Sequence, residues 1–153
     1  MTCKQRSTQS IKIFRLEDQF GDGIYRSTDP RLDDVTSHIE HSNVTHPLPH
    51  EDRLLLTNAK LKNIISHVQH PTKLGWLLHN GGYFYGFSSE EQFRSWFPDD
   101  QYLEYLHNNG CKLCIYHINP RDAINGDTQV AFKLEKNRQV EYHSIAKYLT
   151  TVL

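Results

Sequence analysis

Residues 112–145 read KLCIYHINPRDAINGDTQVAFKLEKNRQVEYHSI, and this stretch decides the fold class. Three runs alternate apolar with polar side chains: Lys112–Ile118, Thr128–Leu134 and Gln139–Ile145. Alternation with a period of two marks half-buried strands. Asn119-Pro120 and Asn125-Gly126-Asp127 supply turn chemistry between the first two runs. Glu135 to Arg138 is a connection of hairpin size between the last two. The chain is therefore expected to end in β structure.

Helical signals lie upstream. Ser89 followed by Gln92 three residues later fits a capping box, and Glu90 and Glu91 suit a first helical turn. Phe93, Trp96 and Phe97 then share one face. Pro98-Asp99-Asp100 opens a second helix with Tyr102, Leu103 and Leu106 inward, and Gly110 ends it. Residues 74–87, LGWLLHNGGYFYGF, read as a hairpin about Asn80-Gly81-Gly82. Residues 51–68 read as a helix with Leu61, Ile64, Ile65 and Val68 on one face, stopped by His70-Pro71.

Residues 1–10 are polar, and a flexible lead-in is expected there. Short strands are expected at 11–16 and 24–26. From Ser27 to His50 the chain reads as a long loop with Pro30, Pro47 and Pro49, and a short helix near Asp33–His41. A loop of that length tends to be functional or disordered. Strands, then helices, then strands predict an α+β fold with small mixed or antiparallel sheets and two to three helices, forming one domain over 11–153.

Composition narrows the function classes. The net charge is −1 with histidines neutral, so no overall field draws nucleic acid or an anionic membrane. Ten histidines raise the charge as pH falls below about 6.5. No run approaches the ~20 apolar residues of a membrane span, and residues 1–10 lack a signal-peptide core. The expectation is a cytoplasmic protein with reduced thiols.

Residues 11–27, IKIFRLEDQFGDGIYRS, carry the first candidate chemistry. Arg15 ends a strand and offers a planar fork of donors to phosphate or carboxylate. Gly21 and Gly23 follow, and glycines let backbone amides approach a ligand closely. The alternative for Arg15 is a surface arginine paired with Glu17 or Asp18. The stretch from Thr45 to Asp52 reads either as a turn into an N-capped helix or as a substrate-facing loop with a histidine or carboxylate acid–base group. His107, Cys111, Cys114 and His117 have the residue types of a zinc site, but strand alternation turns Cys111 and Cys114 to opposite faces. Buried thiols are the expected reading, and no metal is assigned.

Two resemblances add to these readings. The chain resembles a family of small phage-encoded proteins of unassigned role. The likeness lies in the strand arginine followed by G-x-G-I-Y (Arg15, Gly21, Gly23, Tyr25) and in the stretch from His46 to Asp52. It continues through G-F-S-S-E-E-Q-F-x-x-W-F (Gly86 to Phe97), C-x-Y-x-I (Cys114 to Ile118) and G-D-T-Q-V-A-F (Gly126 to Phe132). More distantly, the order of parts is similar to ADP-ribosyltransferase-like folds, in which NAD lies in a cleft between two small sheets. That likeness implies Arg15 as the first-strand residue, Tyr25 or Ser27 as the second and Gln129 at the late position, where the family has glutamate. Glutamine can hydrogen-bond a ribose but is no carboxylate.

These expectations define the leading functional reading. Arg15, Tyr25 and Gln129 would be catalytic, and Arg15, Gly21, Gly23, Tyr25, Ser27 and His46 would bind NAD or an ADP-ribose-like nucleotide. The protein substrate would belong to the host. The alternative is a non-catalytic inhibitor that binds a host antiviral-defence factor through Glu90, Glu91, Asp99 and Asp100 beside Trp96.

Overall fold

A computed structural model describes residues 9–32, 46–66, 68–134 and 139–149. The α+β class is confirmed. Strands β1 (Ile11–Glu17), β3 (Lys112–Ile118) and β6 (Gln139–His143) form one antiparallel sheet in the order β1-β3-β6. Strands β2 (Tyr83–Gly86), β4 (Ala123–Asn125) and β5 (Val130–Lys133) form a second, in the order β2-β5-β4. Among the described residues four helices accompany them rather than two to three: α1 (Arg53–Leu61), α2 (Leu74–Asn80), α3 (Glu90–Trp96) and α4 (Asp100–Asn108).

Alternation along the strands sorts the core into layers. Phe14 and Leu16 of β1 and Leu113 and Ile115 of β3 face Phe93, Trp96, Leu103 and Leu106 of α3 and α4. The opposite face of that sheet, with Ile13, Cys114, Tyr116 and Ile118, meets Val130 and Phe132 of the second sheet. Beyond the second sheet, Ile124 and Ala131 pack on Leu55 and Ala59 of α1 and on Leu74 and Leu78 of α2. The layers thus run helix, sheet, sheet, helix.

One seam joins the sheets. The Phe14 amide donates to the Phe87 carbonyl at 2.8 Å and the Phe87 amide returns a bond to Phe14 at 2.7 Å. The approach requires glycine at 86, where a Cβ would stand 2.6 Å from the Phe14 carbonyl oxygen and 2.7 Å from Ile13 Cγ2.

Several expectations need correction. Residues 74–80 are helical, because Leu74 and Leu78, four apart, are both buried on one side while Trp76 points to water. Asn80-Gly81-Gly82 therefore ends a helix instead of turning a hairpin. The helix starting at Arg53 stops at Leu61, since Asn63 takes a left-handed conformation with φ 60°. Leu61 and Val68 are exposed and do not share a buried face with Ile65. Ile24–Arg26 is a 3-10 turn, with only Gly23 bridging to Glu17 as a strand would. The last two runs are not a hairpin: β5 pairs with β2 and β4, whereas β6 pairs with β3. The intervening 119–127 region also contains the short strand β4. The expected helix near Asp33–His41 lies outside the described residues.

Candidate functional site

Arg15 sits on the face of β1 that looks toward the second sheet, and its side chain is only 15% exposed. Its Nε donates to Glu17 Oε2 at 3.1 Å and its Nη1 to the Tyr85 carbonyl at 3.2 Å. The guanidinium lies 5.1 Å from the centre of the Phe84 ring. Gly23 closes over it, and a Cβ there would stand 2.6 Å from Nη2. Glu17, buried, also accepts the Tyr116 hydroxyl. Arg15 does pair with Glu17, but it is a largely buried residue inside β1 and not a surface arginine at the strand end.

The glycine loop is organised from within. Asp18 is 2% exposed. Its Oδ1 accepts the Phe20 and Asp22 amides at 2.8 and 2.9 Å, and its Oδ2 accepts the Ser27 hydroxyl at 2.6 Å. The Gly21 amide donates to the Asp18 carbonyl. An internal carboxylate thus occupies the place that a bound anion takes in a loop of amides.

Tyr25 and His46 do meet. Tyr25 is half exposed, its hydroxyl bonded to His46 Nδ1, and His46 Nε2 lies 2.7 Å from the Trp96 carbonyl. A carbonyl only accepts, so in the neutral ring Nε2 carries the proton and Nδ1 receives the tyrosine hydroxyl. The imidazole also lies 4.6 Å from the Trp96 ring, centre to centre. Burial of the hydroxyl end, with a smaller contribution from Tyr102, raises the Tyr25 pKa above its ordinary value. Tyr25 therefore stays a neutral phenol.

Gln129 is buried and donates to the Pro47 carbonyl at 3.1 Å, one residue beyond His46. The 46–47 segment therefore links Gln129 to Tyr25. Arg15 lies over Phe84, whose ring packs with Phe132 on the inner face of the second sheet. Gln129 has the parity of Ala131, which faces α1 and α2. Gly23 is with Arg15, and Ser27 is with Asp18.

Cys111 belongs to the helix-covered cluster and Cys114 to the layer between the sheets. Burial, chiefly, pushes each thiol up to about 12. Among the described residues no group of three His, Cys, Asp or Glu side chains is arranged to hold a metal ion. Trp96 is 7% exposed, so the acidic surface formed by Glu90, Glu91, Asp99 and Asp100 has no aromatic side chain from it.

Two arrangements escaped sequence reasoning. Asp52, 2% exposed, caps α1 through the Leu55 amide and also accepts the Asp127 amide, the Thr128 amide and the Thr128 hydroxyl. The cap was legible from its place before an apolar run. The bonds to residues 127 and 128 had no local signal. The second is Glu141, whose two oxygens meet His117 Nε2 and His143 Nε2. These bonds hold its carboxyl below the ordinary range. The spacing of His117 and Glu141 across two strands hides that contact in one dimension.

Residues 11–146 match the family model described as Bacteriophage T4 Y00F protein. The chain is also similar to the "Uncharacterized 19.7 kDa protein in motB-dexA intergenic region" of Enterobacteria phage T4. The two are 31% identical over 101 residues, which covers 63% of this chain and 59% of that relative. The chain thus matches less than two thirds of the relative's length. No solved structure matches the chain.

Proposed function

Because the chain belongs to the bacteriophage T4 Y00F family, we propose that it is a phage accessory protein that binds a host protein in the host cytoplasm, without covalent chemistry of its own. One observation carries this reading. Among the described residues, five of the nine exposed large hydrophobic side chains fall between Leu48 and Trp76, around α1 and α2. Val68 is 94% exposed, Leu61 75% and Trp76 66%. Scattered apolar residues on a surface are ordinary, but five of them within 29 consecutive residues, on, between and just before two neighbouring helices, favour an interaction face there. Burying each such side chain against a partner would return roughly 1.5–3 kcal/mol before the costs of association.

The internal ties of Arg15 and of the 18–22 loop weigh in the same direction. Donors that a nucleotide phosphate would need already satisfy Glu17, the Tyr85 carbonyl and Asp18. The test is affinity capture from host extract, identification of the partner, and reconstitution from purified proteins. A stable complex with an unmodified partner is expected. No reconstituted complex, or a partner that gains the mass of an ADP-ribose, overturns the reading.

The nucleotide reading keeps one observation in its favour: Tyr25 is half exposed as a residue, and its hydroxyl is oriented by His46 beside the Trp96 ring. In an ADP-ribosyltransferase-like arrangement Tyr25 would be the second-strand residue that binds NAD. Calorimetry with NAD and ADP-ribose decides it, since saturable heat that disappears in Tyr25→Ala would put this reading first.

A further inference from the structure

We infer that the outer face of α1 and α2 is the docking face, and that its partner is an acidic protein surface with apolar side chains among its carboxylates. The inference rests on the protein-binding reading above and specifies its partner.

Charge supplies the first argument. From Arg53 to Ser89 the chain contains no Asp or Glu, yet it carries Arg53, Lys60, Lys62 and Lys73. That leaves thirteen of the seventeen Lys and Arg to oppose all eighteen Asp and Glu elsewhere. A nearly neutral sequence is therefore divided into a basic stretch and an acidic remainder, with the exposed Glu51, in the Pro49–Glu51 turn that packs on α1 and α2, as the carboxylate at the edge of the basic stretch. Lys62 caps the carbonyls of Arg121 and Ala123, while Arg53 and Lys73 are exposed and Lys60 half-buried. Asp52, the carboxylate that immediately precedes this stretch, is buried and saturated with donors. Asp122 lies near Tyr83 with Arg121 beside it in sequence.

Packing supplies the second. α1 and α2 spend Leu55, Ala59, Leu74 and Leu78 on the second sheet. Their other sides leave Leu54, Leu61 and Trp76 in water. Long-range attraction from the cations would steer an acidic partner, and the apolar side chains would hold it once water is expelled. Trp is also among the residues enriched where binding energy concentrates.

The same mixture disfavours other polyanions. Nucleic-acid affinity rests on a denser set of phosphate contacts than these few cations supply. A membrane surface would favour a continuous apolar band, whereas Thr57, Gln69 and Thr72 interrupt this one.

The experiment uses the intact protein and its own fluorescence. Of its two tryptophans Trp96 is buried, so collisional quenching reports Trp76. At low salt iodide should quench more than caesium, and Lys60→Glu/Lys73→Glu should reverse that order. The partner captured from host extract is then titrated with wild type, with the double variant, with Trp76→Ala, and with Glu104→Lys on α4. Support is an affinity loss of about tenfold or more for the double variant and for Trp76→Ala, a fall with added salt, and no change for Glu104→Lys. Equal binding by all four proteins overturns the docking face and leaves the protein-binding reading standing. Failure to reconstitute any complex overturns both. Protection of Trp76 at physiological salt by a short DNA duplex, or by phosphatidylglycerol vesicles, also overturns the assignment to an acidic protein.

Discussion

At the scale of single residues, the buried carboxylates do the organising, and Asp52 is the clearest case. Burial alone would raise its pKa, but the Thr128, Leu55 and Asp127 amides and the Thr128 hydroxyl together hold it below the ordinary 3.8. A carboxyl that is more acidic in the folded state contributes stability above the unfolded value, and this is lost as pH falls through the folded one. Asp52→Ala should therefore destabilise by about 3 kcal/mol near neutrality, from a lost helix cap and stranded amides. The deficit should shrink as acid protonates the wild-type carboxyl. Denaturant melts at a series of pH values check both parts, and a deficit constant with pH contradicts the account. A second prediction concerns the thiols. With pKa values pushed up to about 12 by burial, Cys111 and Cys114 hold almost no thiolate at pH 8. In a Cys3→Ser background, an aromatic disulfide reagent should leave both unmodified until denaturant is added. These residues also show what one dimension hides: the Asp52 cap is a local pattern, whereas its clasp on Thr128 spans 76 positions.

At the scale of elements, local chemistry was readable where one face of the element stays on one layer. The Ser89 cap, the Asp99 cap and the apolar faces of α3 and α4 all appear as the sequence indicates. Even there the capping box is shifted: Gln92 Oε1 accepts the Ser88 amide, one position before the cap, while Ser89 accepts the Gln92 amide. Elements failed where short apolar runs fit either period. Leu74, Leu77 and Leu78 fit a strand until the second sheet is present to bury Leu74 and Leu78 together. Pairing failed too, because a connection short enough for a hairpin instead carries the chain from one sheet to the other. The seam between the sheets gives the element-scale prediction. Gly86→Ala places a methyl group against the Phe14 carbonyl oxygen, which is strand backbone, and against Cγ2 of Ile13, a fully buried β-branched side chain with little room to turn away. It should cost roughly 1–3 kcal/mol and lower Tm by several degrees. Gly82→Ala is no control, since Gly82 has φ 85° and would be strained. Substitution of exposed Ser95, outside the seam, serves that purpose. A Gly86→Ala melt that overlays wild type would mean that the sheets do not meet there as described.

At the scale of the whole molecule, the question is whether four layers unfold as one. β3 is central in its sheet, and residues 113–116 are all buried. β5 is central in the other, with Val130, Ala131 and Phe132 all buried. If the seam were a loose contact, each sheet would unfold with its own helices. Three features argue that it couples them. The Phe14–Phe87 amides exchange two bonds across it, Arg15 of β1 holds the Tyr85 carbonyl next to β2's last residue, and both sheets contribute to one apolar layer. Exposing that layer is the cost of separating the sheets, and it falls on both at once. Native-state hydrogen exchange should therefore give the Ile115 and Ala131 amides, where protected, the same opening free energy, equal to the global stability from denaturant melts. The Gly86→Ala substitution should lower both by the same amount. If Ala131 exchanged through a cheaper opening while Ile115 kept the global value, the second sheet with α1 and α2 would be a separate cooperative unit. The basic docking layer would then ride on a part of the protein able to loosen without the rest. Equal values would instead give the partner a rigid face, ordered before it binds, so that little conformational entropy is lost on association.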